Sequence, residues 1–306
     1  RDVPDPEPGP EEVRVAVTGA GVNRADLLQR MGFYPGPPMA HEIPGMEFAG
    51  RVESVGERVA GWSVGDEVMG IVGGGAYAER LCVHERQCMP VPERLALEDA
   101  AAVPEVFVTA YDALVWQGGL TTGRRALVHA GASGVGTAAI QLAKAVGAEV
   151  AVTASTSKVD ACRDLGADLV VDYTAEDFAE RVGAWAPDGV DVVLDVIGGD
   201  YVNRNIACTR TKGRIIQVGV MGAGRAEVDV GTLLRKRIAL VGTVLRARPL
   251  EEKIDVTQRF TAEVLPRFTD GSLKPVIDSR YPLDEVAAAH QRMESNANVG
   301  KLLLDL

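Results

Sequence analysis

Residues 125–139 read RALVHAGASGVGTAA, and the architecture of the chain follows from this run. Its first part is apolar, as in a buried strand, and a helical pattern begins near Val135 after a glycine-rich turn. Gly131 suits a tight turn, the small Ser133 lets the backbone approach a pyrophosphate, and Gly136 allows the helix to pack closely on the strand. Free N–H groups at a helix start favour phosphate oxygens. The run therefore predicts a dinucleotide-binding turn made by Gly131, Ser133, Gly134, Val135 and Gly136.

Two alignments of this turn with the pattern Gly-x-Gly-x-x-Gly stay open. One places Ser133 at the middle glycine, and the other starts at Gly134 and ends at Ala139. A tight turn without a cofactor is the simpler alternative, but the position between a strand and a helix favours a nucleotide. A Walker-type phosphate loop is excluded because Thr137 stands where lysine is required, and a nucleophile elbow is excluded because Val135 stands where glycine is required.

The segment around this turn alternates between strand and helix patterns. Near-continuous Val, Ile and Leu in the strands is typical of a parallel sheet covered on both faces. Six such strands predict an α/β fold with a doubly wound parallel (Rossmann) sheet. The predicted strands are 125–129, 149–153, 168–172, 190–197, 214–219 and 237–243, and the predicted helices are 135–146, 158–165, 175–182 and 201–209.

The two ends of the chain have a different texture. Short β-type runs at 13–17, 48–55 and 66–72 are broken by Gly and Pro, with a short helix at 24–30. The last part predicts a helix at 283–293 and a strand at 301–306, which we expect to return to the first domain. The predicted domains are therefore 1–103 with 271–306, which is β-rich, and 104–270, which binds the nucleotide.

Composition narrows the class of partner. The 306 residues include 32 Lys and Arg against 43 Asp and Glu, and the net charge of −11 argues against nucleic acid or an anionic membrane as a main partner. No apolar run reaches the roughly 18 residues of a membrane-spanning helix. Four scattered cysteines predict reduced thiols and a cytoplasmic location. Because the first residue is Arg1 rather than Met, we expect that the chain lacks its true N-terminus, and a targeting segment there stays an open alternative.

The residues after the second predicted strand indicate which nicotinamide cofactor binds. An NAD enzyme places Asp or Glu there, beside the adenosine ribose. This chain instead has Ala154-Ser155-Thr156-Ser157-Lys158, which offers hydroxyls and a cation to a 2′-phosphate. NADPH is therefore predicted over NADH. The same residues are also those of a helix cap, and the two interpretations are compatible.

No metal-binding pattern is present in the sequence. His41-Glu42 and His84-Glu85 both lack the second histidine of the H-E-x-x-H motif, and only Cys82 and Cys88 lie near each other. No tyrosine is followed by lysine four positions later, so the acid/base pair of short-chain reductases is missing. The predicted reaction works without a metal, and we assign no metal ligand.

Several motifs taken together resemble a known family. They are Gly21-Val22-Asn23-Arg24-Ala25-Asp26, Met31-Gly32-Phe33-Tyr34-Pro35-Gly36-Pro37-Pro38, Pro44-Gly45-Met46-Glu47-Phe48-Ala49-Gly50, Val103-Pro104-Glu105 and His129 to Gly136. Over nearly its whole length the chain resembles the zinc-free quinone oxidoreductase (zeta-crystallin-like) branch of the medium-chain dehydrogenase/reductase superfamily. Zinc alcohol dehydrogenases of that superfamily carry Cys and His where this chain has Asn23 and Met46, which are not usual zinc ligands.

The resemblance implies a homodimer whose subunits combine a β-rich GroES-like domain and a Rossmann domain. It also implies hydride transfer from NADPH, bound between the domains, to a quinone. The residues that match the family's catalytic positions are Asn23 and Tyr34, and those that match its cofactor contacts are Thr109, Ser155, Lys158, Tyr173, Gly219, Leu245 and Lys301.

Other interpretations of these residues and of the function stay open. Asn23 and Asp26 also have the spacing of a helix cap, Thr109 suits simple packing in an apolar helix, and Glu47 is interpreted as tying strands together. The alternatives to quinone reduction are reduction of an activated C=C bond in an enone or enoyl thioester, a non-catalytic NADPH-binding protein, and a zinc alcohol dehydrogenase. Strand 237–243 is apolar and, at a sheet edge, would pair with a second subunit.

Overall fold

A computed structural model describes residues 2–34, 37 and 41–306 of the chain. Pro35, Gly36 and Pro38, which belong to the Gly/Pro-rich loop singled out in the sequence, lie outside the described residues. The chain divides into two compact units. The first comprises Arg1–Val108 with Leu245–Leu306, and the second comprises Thr109–Val244.

The strands are numbered in chain order. They are β1 (Glu12–Val22), β2 (Glu47–Val55), β3 (Glu67–Ile71), β4 (Arg80–His84), β5 (Cys88–Pro90), β6 (Arg125–Val128), β7 (Glu149–Ala154), β8 (Leu169–Asp172), β9 (Val190–Asp195), β10 (Thr209–Gln217), β11 (Ala239–Gly242), β12 (Ile277–Pro282) and β13 (Lys301–Asp305).

The α-helices are numbered in the same way, and the short 3₁₀ turns and the π-helix Asp112–Gln117 are left unnumbered. They are α1 (Arg24–Arg30), α2 (Leu97–Ala100), α3 (Pro104–Tyr111), α4 (Gly134–Ala145), α5 (Val159–Asp164), α6 (Phe178–Trp185), α7 (Tyr201–Cys208), α8 (Val230–Lys236), α9 (Leu250–Glu263), α10 (Pro266–Thr269) and α11 (Val286–Glu294). No helix among the described residues is long and apolar enough to cross a membrane.

The first unit is built on a largely antiparallel sheet. Among the described residues its strand order is β12-β13-β1-β2-β3-β5, with β4 also paired to β1. Alternate residues of β1 (Val13, Val15 and Val17) point into its core, as a sheet with one buried face requires. The C-terminal strand β13 pairs with β1 from Gly19 opposite Asp305 onward, so the tail lies in the first unit.

The boundary between the units differs from the predicted domain limits. Residues 245–270 belong to the first unit, whereas the sequence placed them in the nucleotide-binding domain. Helix α9 packs within the first unit, where Gln258 Nε2 donates to the Arg86 carbonyl oxygen at 2.9 Å. The rings of Phe107 and Phe268 meet edge to face, with centroids 4.8 Å apart, and so hold α10 in the same unit.

The second unit is a six-stranded sheet in the order β11-β10-β9-β6-β7-β8 within the described residues. Every neighbouring pair in it is parallel. Read from the other end, this is the strand order of the dinucleotide-binding fold, in which the order reverses between β6 and β9. The predicted fold class is confirmed. Ligands of such sheets bind outside the carboxyl ends of the strands at that reversal.

Candidate functional site

The glycine-rich turn joins β6 to α4 at the carboxyl edge of the parallel sheet. A Cβ atom on Gly131 would lie 2.7 Å from the Val152 Cβ, and one on Gly136 would lie 2.3 Å from the Ala130 carbonyl oxygen. Both separations are too short for real side chains, so each position requires glycine. The sequence predicts that Gly136 lets the helix pack on the strand, whereas the atoms nearest to a Cβ at this position belong to the turn itself.

The conformation of the turn differs from the prediction in one respect. The residue with left-handed backbone is Ala130, at φ 56°, rather than Gly131. Gly131 is needed instead for its missing side chain, because its backbone lies against β7 and its N–H donates to the Thr153 carbonyl oxygen at 2.8 Å. A non-glycine residue in this region of φ costs energy and is held by its surroundings.

The start of α4 has the features of a phosphate site. Ser133 caps the helix by accepting from the Gly136 N–H at 3.0 Å. Within the described residues, the N–H groups of Gly134 and Val135 have no hydrogen-bond acceptor, and neither residue is fully buried. Free N–H groups beside a helix N-terminus, with no Cβ at two flanking positions, fit a pyrophosphate.

Ser155, Lys158 and Tyr173 follow β7 and β8 at the same edge of the sheet. Ser155 precedes the 3₁₀ turn Thr156–Lys158, and the Tyr173 N–H donates to the Ala154 carbonyl oxygen at 3.2 Å. Tyr173 is half exposed. The structure therefore brings these three predicted residues close together, one strand away from the glycine-rich turn.

One carboxylate lies among these polar groups, and it comes from β8. Asp172 accepts from the Thr156 hydroxyl at 2.6 Å and from the Thr174 N–H at 3.0 Å. The hydrogen bonds from Thr156 and Thr174 lower the pKa of Asp172, so it is ionised at neutral pH. The sequence predicts the cofactor from the residues after β7 alone, and Asp172 escapes that prediction because β7 and β8 become neighbours only in the fold.

The other predicted cofactor residues are placed separately. Gly219 follows β10, and its carbonyl oxygen accepts from Gln217 Nε2 at 2.6 Å. Thr109 is buried in α3. Leu245 and Lys301 belong to the first unit, together with the two predicted catalytic residues.

Asn23 and Lys301 meet at a buried carboxylate in the first unit. Asn23 Nδ2 donates to Glu47 Oε1 at 2.7 Å, and the Lys301 ammonium donates to the same oxygen. Lys301 also donates to Asn23 Oδ1 at 2.8 Å and to the Val22 carbonyl oxygen at 3.0 Å. Both Glu47 and Lys301 are almost fully buried, so this ion pair is stable only because every charge is hydrogen-bonded.

Glu47 therefore ties several elements together, as the sequence predicted. Its second oxygen, Oε2, accepts from the Glu105 N–H at 2.8 Å at the start of α3. The Lys301 ammonium has three protein acceptors, which accounts for all of its protons. Lys301 thus orients Asn23 and Glu47.

A second carboxyl group lies behind Asn23. Asp26 Oδ2 accepts from the Asn23 N–H at 2.7 Å and from the Tyr77 hydroxyl at 3.0 Å. Its other oxygen, Oδ1, is buried and has no partner among the described residues. Burial raises the pKa of Asp26 to about 6, against the lowering effects of the Asn23 N–H and Lys301. The helix-cap interpretation of Asn23 and Asp26 is supported in part, because Asp26 accepts from the Asn23 N–H.

The carboxyl group of Glu105 in the first unit has a strongly raised pKa. Burial raises its pKa to about 8, and the neighbouring Glu47 carboxylate adds to the effect while Lys301 and Arg246 oppose it. The group is therefore largely protonated at neutral pH. A neutral carboxylic acid is a proton donor, which an ionised one is not.

Tyr34 is held by a buried arginine that the sequence analysis did not single out. Arg246 donates to the Tyr34 carbonyl oxygen through Nη1, to the Gly73 carbonyl oxygen through Nε and to Gln29 Oε1 through Nη2, each at 2.8 Å. Burial and the nearby Glu105 raise the pKa of the Tyr34 hydroxyl, and Arg246 opposes them. The phenol thus stays protonated at neutral pH and is able to donate.

Sequence reasoning assigned no chemical role to four residues of this unit: Asp26 as a buried acid, Tyr77, Arg246 and Glu105, the last of which it quoted only within a family motif. The one available signal was Glu105, an acidic residue inside the apolar run of residues 100–110. No group of three or more His, Cys, Asp or Glu side chains in residues 2–34, 37 and 41–306 is arranged to hold a metal ion.

The chain matches two protein-family models. "Alcohol dehydrogenase GroES-like domain" covers residues 9–93, and "Zinc-binding dehydrogenase" covers residues 134–261. The chain is also 34% identical over 316 residues to the synaptic vesicle membrane protein VAT-1 homolog of Rattus norvegicus, covering 98% of this chain and 78% of the relative.

Two solved structures have the same fold along the whole chain. Escherichia coli quinone oxidoreductase complexed with NADPH has a TM-score of 0.89 and 28% identity, covering 100% of this chain and 95% of that one. CurK enoyl reductase has a TM-score of 0.86 and 28% identity, covering 100% and 94%. The resemblance seen in the sequence is confirmed: the chain belongs to the quinone oxidoreductase-like branch of the medium-chain dehydrogenase/reductase superfamily.

Proposed function

We propose that this protein is an NADPH-dependent quinone oxidoreductase that transfers a hydride without a metal. The observation that carries the proposal is the turn before α4, where Gly131 and Gly136 leave no room for side chains and two N–H groups are free. Similarity to a quinone oxidoreductase complexed with NADPH supports the same assignment. When bound, NADPH supplies the hydride, and the chain's own residues orient the acceptor and stabilise its negative charge.

We assign the adenosine 2′-phosphate to Ser155, Lys158 and Tyr173. The hydroxyl of Ser155 and the ammonium of Lys158 suit an anion rich in acceptors. The carboxylate of Asp172 opposes the assignment, because it would repel the phosphate. A direct comparison of NADPH and NADH binding tests the assignment.

In the first unit, we assign the developing oxyanion of the quinone to the Tyr34 hydroxyl. Asn23 is the less suitable donor, because its Nδ2 already donates to Glu47 and to the Gly21 carbonyl oxygen. Tyr34 has no hydrogen-bond partner for its hydroxyl within the described residues, and its protonated state is favoured. Asn23 then fixes the local backbone, while Tyr34 donates to the substrate.

The experiment that tests the proposal is a panel of acceptors with the purified protein and NADPH. We expect steady oxidation of NADPH with quinones and slower oxidation with simple enones. Oxidation with enones or enoyl thioesters but not with quinones would favour reduction of activated C=C bonds, for which similarity to CurK enoyl reductase is the supporting observation. Binding of NADPH without oxidation by any acceptor would indicate a non-catalytic protein.

The absence of a metal from the reaction is also part of the proposal. Asn23 and Met46 stand at the positions where zinc enzymes of the superfamily have Cys and His, and neither is a usual zinc ligand. Metal analysis of the purified, active protein is the test. Stoichiometric zinc whose removal abolishes activity would contradict it.

We propose a homodimer formed through β11. This strand pairs only with β10 among the described residues and so lies at a sheet edge, as required for the predicted pairing. Leu240 on it is 39% exposed, and Val230 and Leu234 of the adjacent α8 are more exposed still. An apolar edge of this kind pairs readily with a second copy. Sedimentation of Leu240→Lys should give monomers where the wild type gives dimers, and dimers of both would contradict the assignment.

A further inference from the structure

A buried hydrogen-bonded chain in the second unit connects the glycine-rich turn to the loop after β9. It begins at the Ala130 N–H, which donates to Thr153 Oγ1 at 3.3 Å, and Thr153 Oγ1 lies 3.1 Å from His129 Nδ1. His129 Nε2 lies 2.7 Å from Asn205 Oδ1, and Asn205 Nδ2 donates to Asp195 Oδ2 at 2.9 Å.

The hydrogen-bonded chain ends on the loop that follows β9. The other carboxylate oxygen of Asp195 accepts from the Ile197 N–H at 2.6 Å and from the Gly198 N–H at 3.0 Å. The side chains of His129, Thr153, Asp195 and Asn205 are all almost completely buried. Because none of them exchanges freely with water, each hydrogen bond in the chain depends on the next.

The position of every proton in this chain is determined by its end. The Asp195 carboxylate only accepts, so Asn205 must turn its NH₂ group toward it and its oxygen toward His129. His129 therefore carries its proton on Nε2. Burial lowers the pKa of His129, so the ring is neutral and its bare Nδ1 accepts from the Thr153 hydroxyl. The Thr153 oxygen is then free to accept from the Ala130 N–H.

The location of this hydrogen-bonded chain indicates what it does. His129 follows β6 and Asp195 ends β9, and these two strands flank the reversal of strand order where such sheets bind nucleotides. One end of the chain holds Ala130, whose left-handed backbone needs support from its surroundings. The other end holds the N–H groups of Ile197 and Gly198. Both sides of the reversal are thus set by one group of side chains.

We propose that His129 is a positioning residue of the nucleotide site, which fixes the turn at Ala130 relative to the loop at Ile197 and Gly198 through Thr153, Asn205 and Asp195. The inference rests on the proposed nucleotide binding and adds residues that do not themselves touch the nucleotide. Rings of Phe178 and Tyr201 pack edge to face on His129, with both centroids at 4.8 Å, and hold its plane in place.

The test is a pair of substitutions at Thr153. Thr153→Val removes the hydroxyl but keeps the branched shape that suits a strand, and Thr153→Ser keeps the hydroxyl. Dissociation constants are measured by calorimetry for NADPH and for adenosine 2′-phosphate, which lacks the pyrophosphate. We expect Thr153→Val to weaken the binding of NADPH about tenfold or more and to leave the binding of adenosine 2′-phosphate unchanged. We expect Thr153→Ser to bind both ligands as the wild type does.

Each other outcome has a defined meaning. If the wild type and Thr153→Val bind NADPH equally well, the positioning role is wrong and the proposed function stands. If Thr153→Val weakens both ligands equally, the hydroxyl supports the unit in general and the positioning role is again wrong. If the folded wild type does not bind NADPH, the proposed function and this inference both fail. Should Thr153→Val not fold, Thr153→Ala removes the same hydroxyl and is judged by the same criteria.

Discussion

The guanidinium carbon of Arg246 lies 5.1 Å from the centre of the Tyr34 ring, and Nη1 of the same arginine donates to the Tyr34 carbonyl oxygen at 2.8 Å. Arg246 is 6% exposed and also donates to the Gly73 carbonyl oxygen and to Gln29 Oε1. One buried cation thus holds the backbone of Tyr34 and lies against its ring, which fixes where the hydroxyl can reach.

Replacing this arginine should disturb catalysis through Tyr34. Lysine keeps the charge but has no planar set of donors, so Arg246→Lys cannot satisfy three separated acceptors. We expect kcat/KM for quinone to fall about tenfold or more, with the NADPH dissociation constant little changed. Arg225→Lys, at an exposed position of the second unit, is the matched control. Wild-type kcat/KM in Arg246→Lys would show that the contact has no role in catalysis.

Removing the Tyr34 hydroxyl should act on the chemical step alone. Tyr34→Phe retains the ring that lies against Arg246 and loses only the proposed donor to the oxyanion. We expect kcat with quinone to fall on the order of tenfold or more while NADPH affinity is retained. Tyr281→Phe in β12 serves as the control. An unchanged kcat would remove Tyr34 from the mechanism.

We expect the choice between NADPH and NADH to depend on two opposite charges, those of Lys158 and Asp172, near the ends of β7 and β8. Lys158→Ala should weaken the binding of NADPH about tenfold and leave the binding of NADH nearly unchanged, because only NADPH carries the 2′-phosphate. Asp172→Asn removes a negative charge from the same group of residues, so it should strengthen the binding of NADPH more than that of NADH. Titrations of both nucleotides against each variant provide the measurement, and equal losses of both nucleotides in Lys158→Ala would reject the assignment.

The raised pKa of Glu105 predicts a dependence of stability on pH. Its folded-state pKa is about 8, against 4.5 for an ordinary glutamate, so the folded protein binds this proton more strongly than the unfolded chain. That contribution is fully present below pH 4.5 and is lost as the pH rises through 8. Glutamine does not titrate and leaves the Glu105 N–H bond to Glu47 in place.

The Tm of Glu105→Gln minus that of the wild type should therefore increase as the pH rises from 4.5 to 8. We expect an increase on the order of ten degrees, since one pKa unit corresponds to about 1.4 kcal/mol and a large chain shifts by about 2–4 °C per kcal/mol. Asp26, with a pKa of about 6, titrates in both proteins and cancels in the difference. A Tm difference that does not change with pH would contradict the assignment.

The sequence predicted elements whose pattern is local. Helix α1 was predicted with its observed limits, and all six strands of the parallel sheet were found, because continuous apolar runs between helices leave little choice. Strand β1 was predicted to end at Val17 but continues to Val22. Gly19 and Gly21 resemble strand breakers, yet a Cβ on Gly21 would lie 2.2 Å from Glu47 Oε1, so glycine is there to admit the buried carboxylate.

The residues that the sequence did not reveal are those defined by distant partners. Arg246 contacts Gln29, Tyr34 and Gly73, which are more than 170 positions away in the chain, and no local pattern marks it. Lys301 stays a predicted cofactor contact, and the fold adds what no local pattern shows: its ammonium donates to Val22, Asn23 and Glu47. Charged residues that are buried acquire their role from the fold, because only the fold brings their acceptors together.

Above all, we propose that a phosphorylated pyridine nucleotide binds at the turn before α4. Calorimetric titration with NADPH of the wild type, Gly136→Ala and Gly183→Ala tests it most directly, because a Cβ on Gly136 meets the turn backbone at 2.3 Å whereas one on Gly183 meets nothing within 4 Å. We predict one NADPH per chain for the wild type and Gly183→Ala, and lost binding for Gly136→Ala. Undiminished binding by Gly136→Ala, or none by the folded wild type, would contradict the claim.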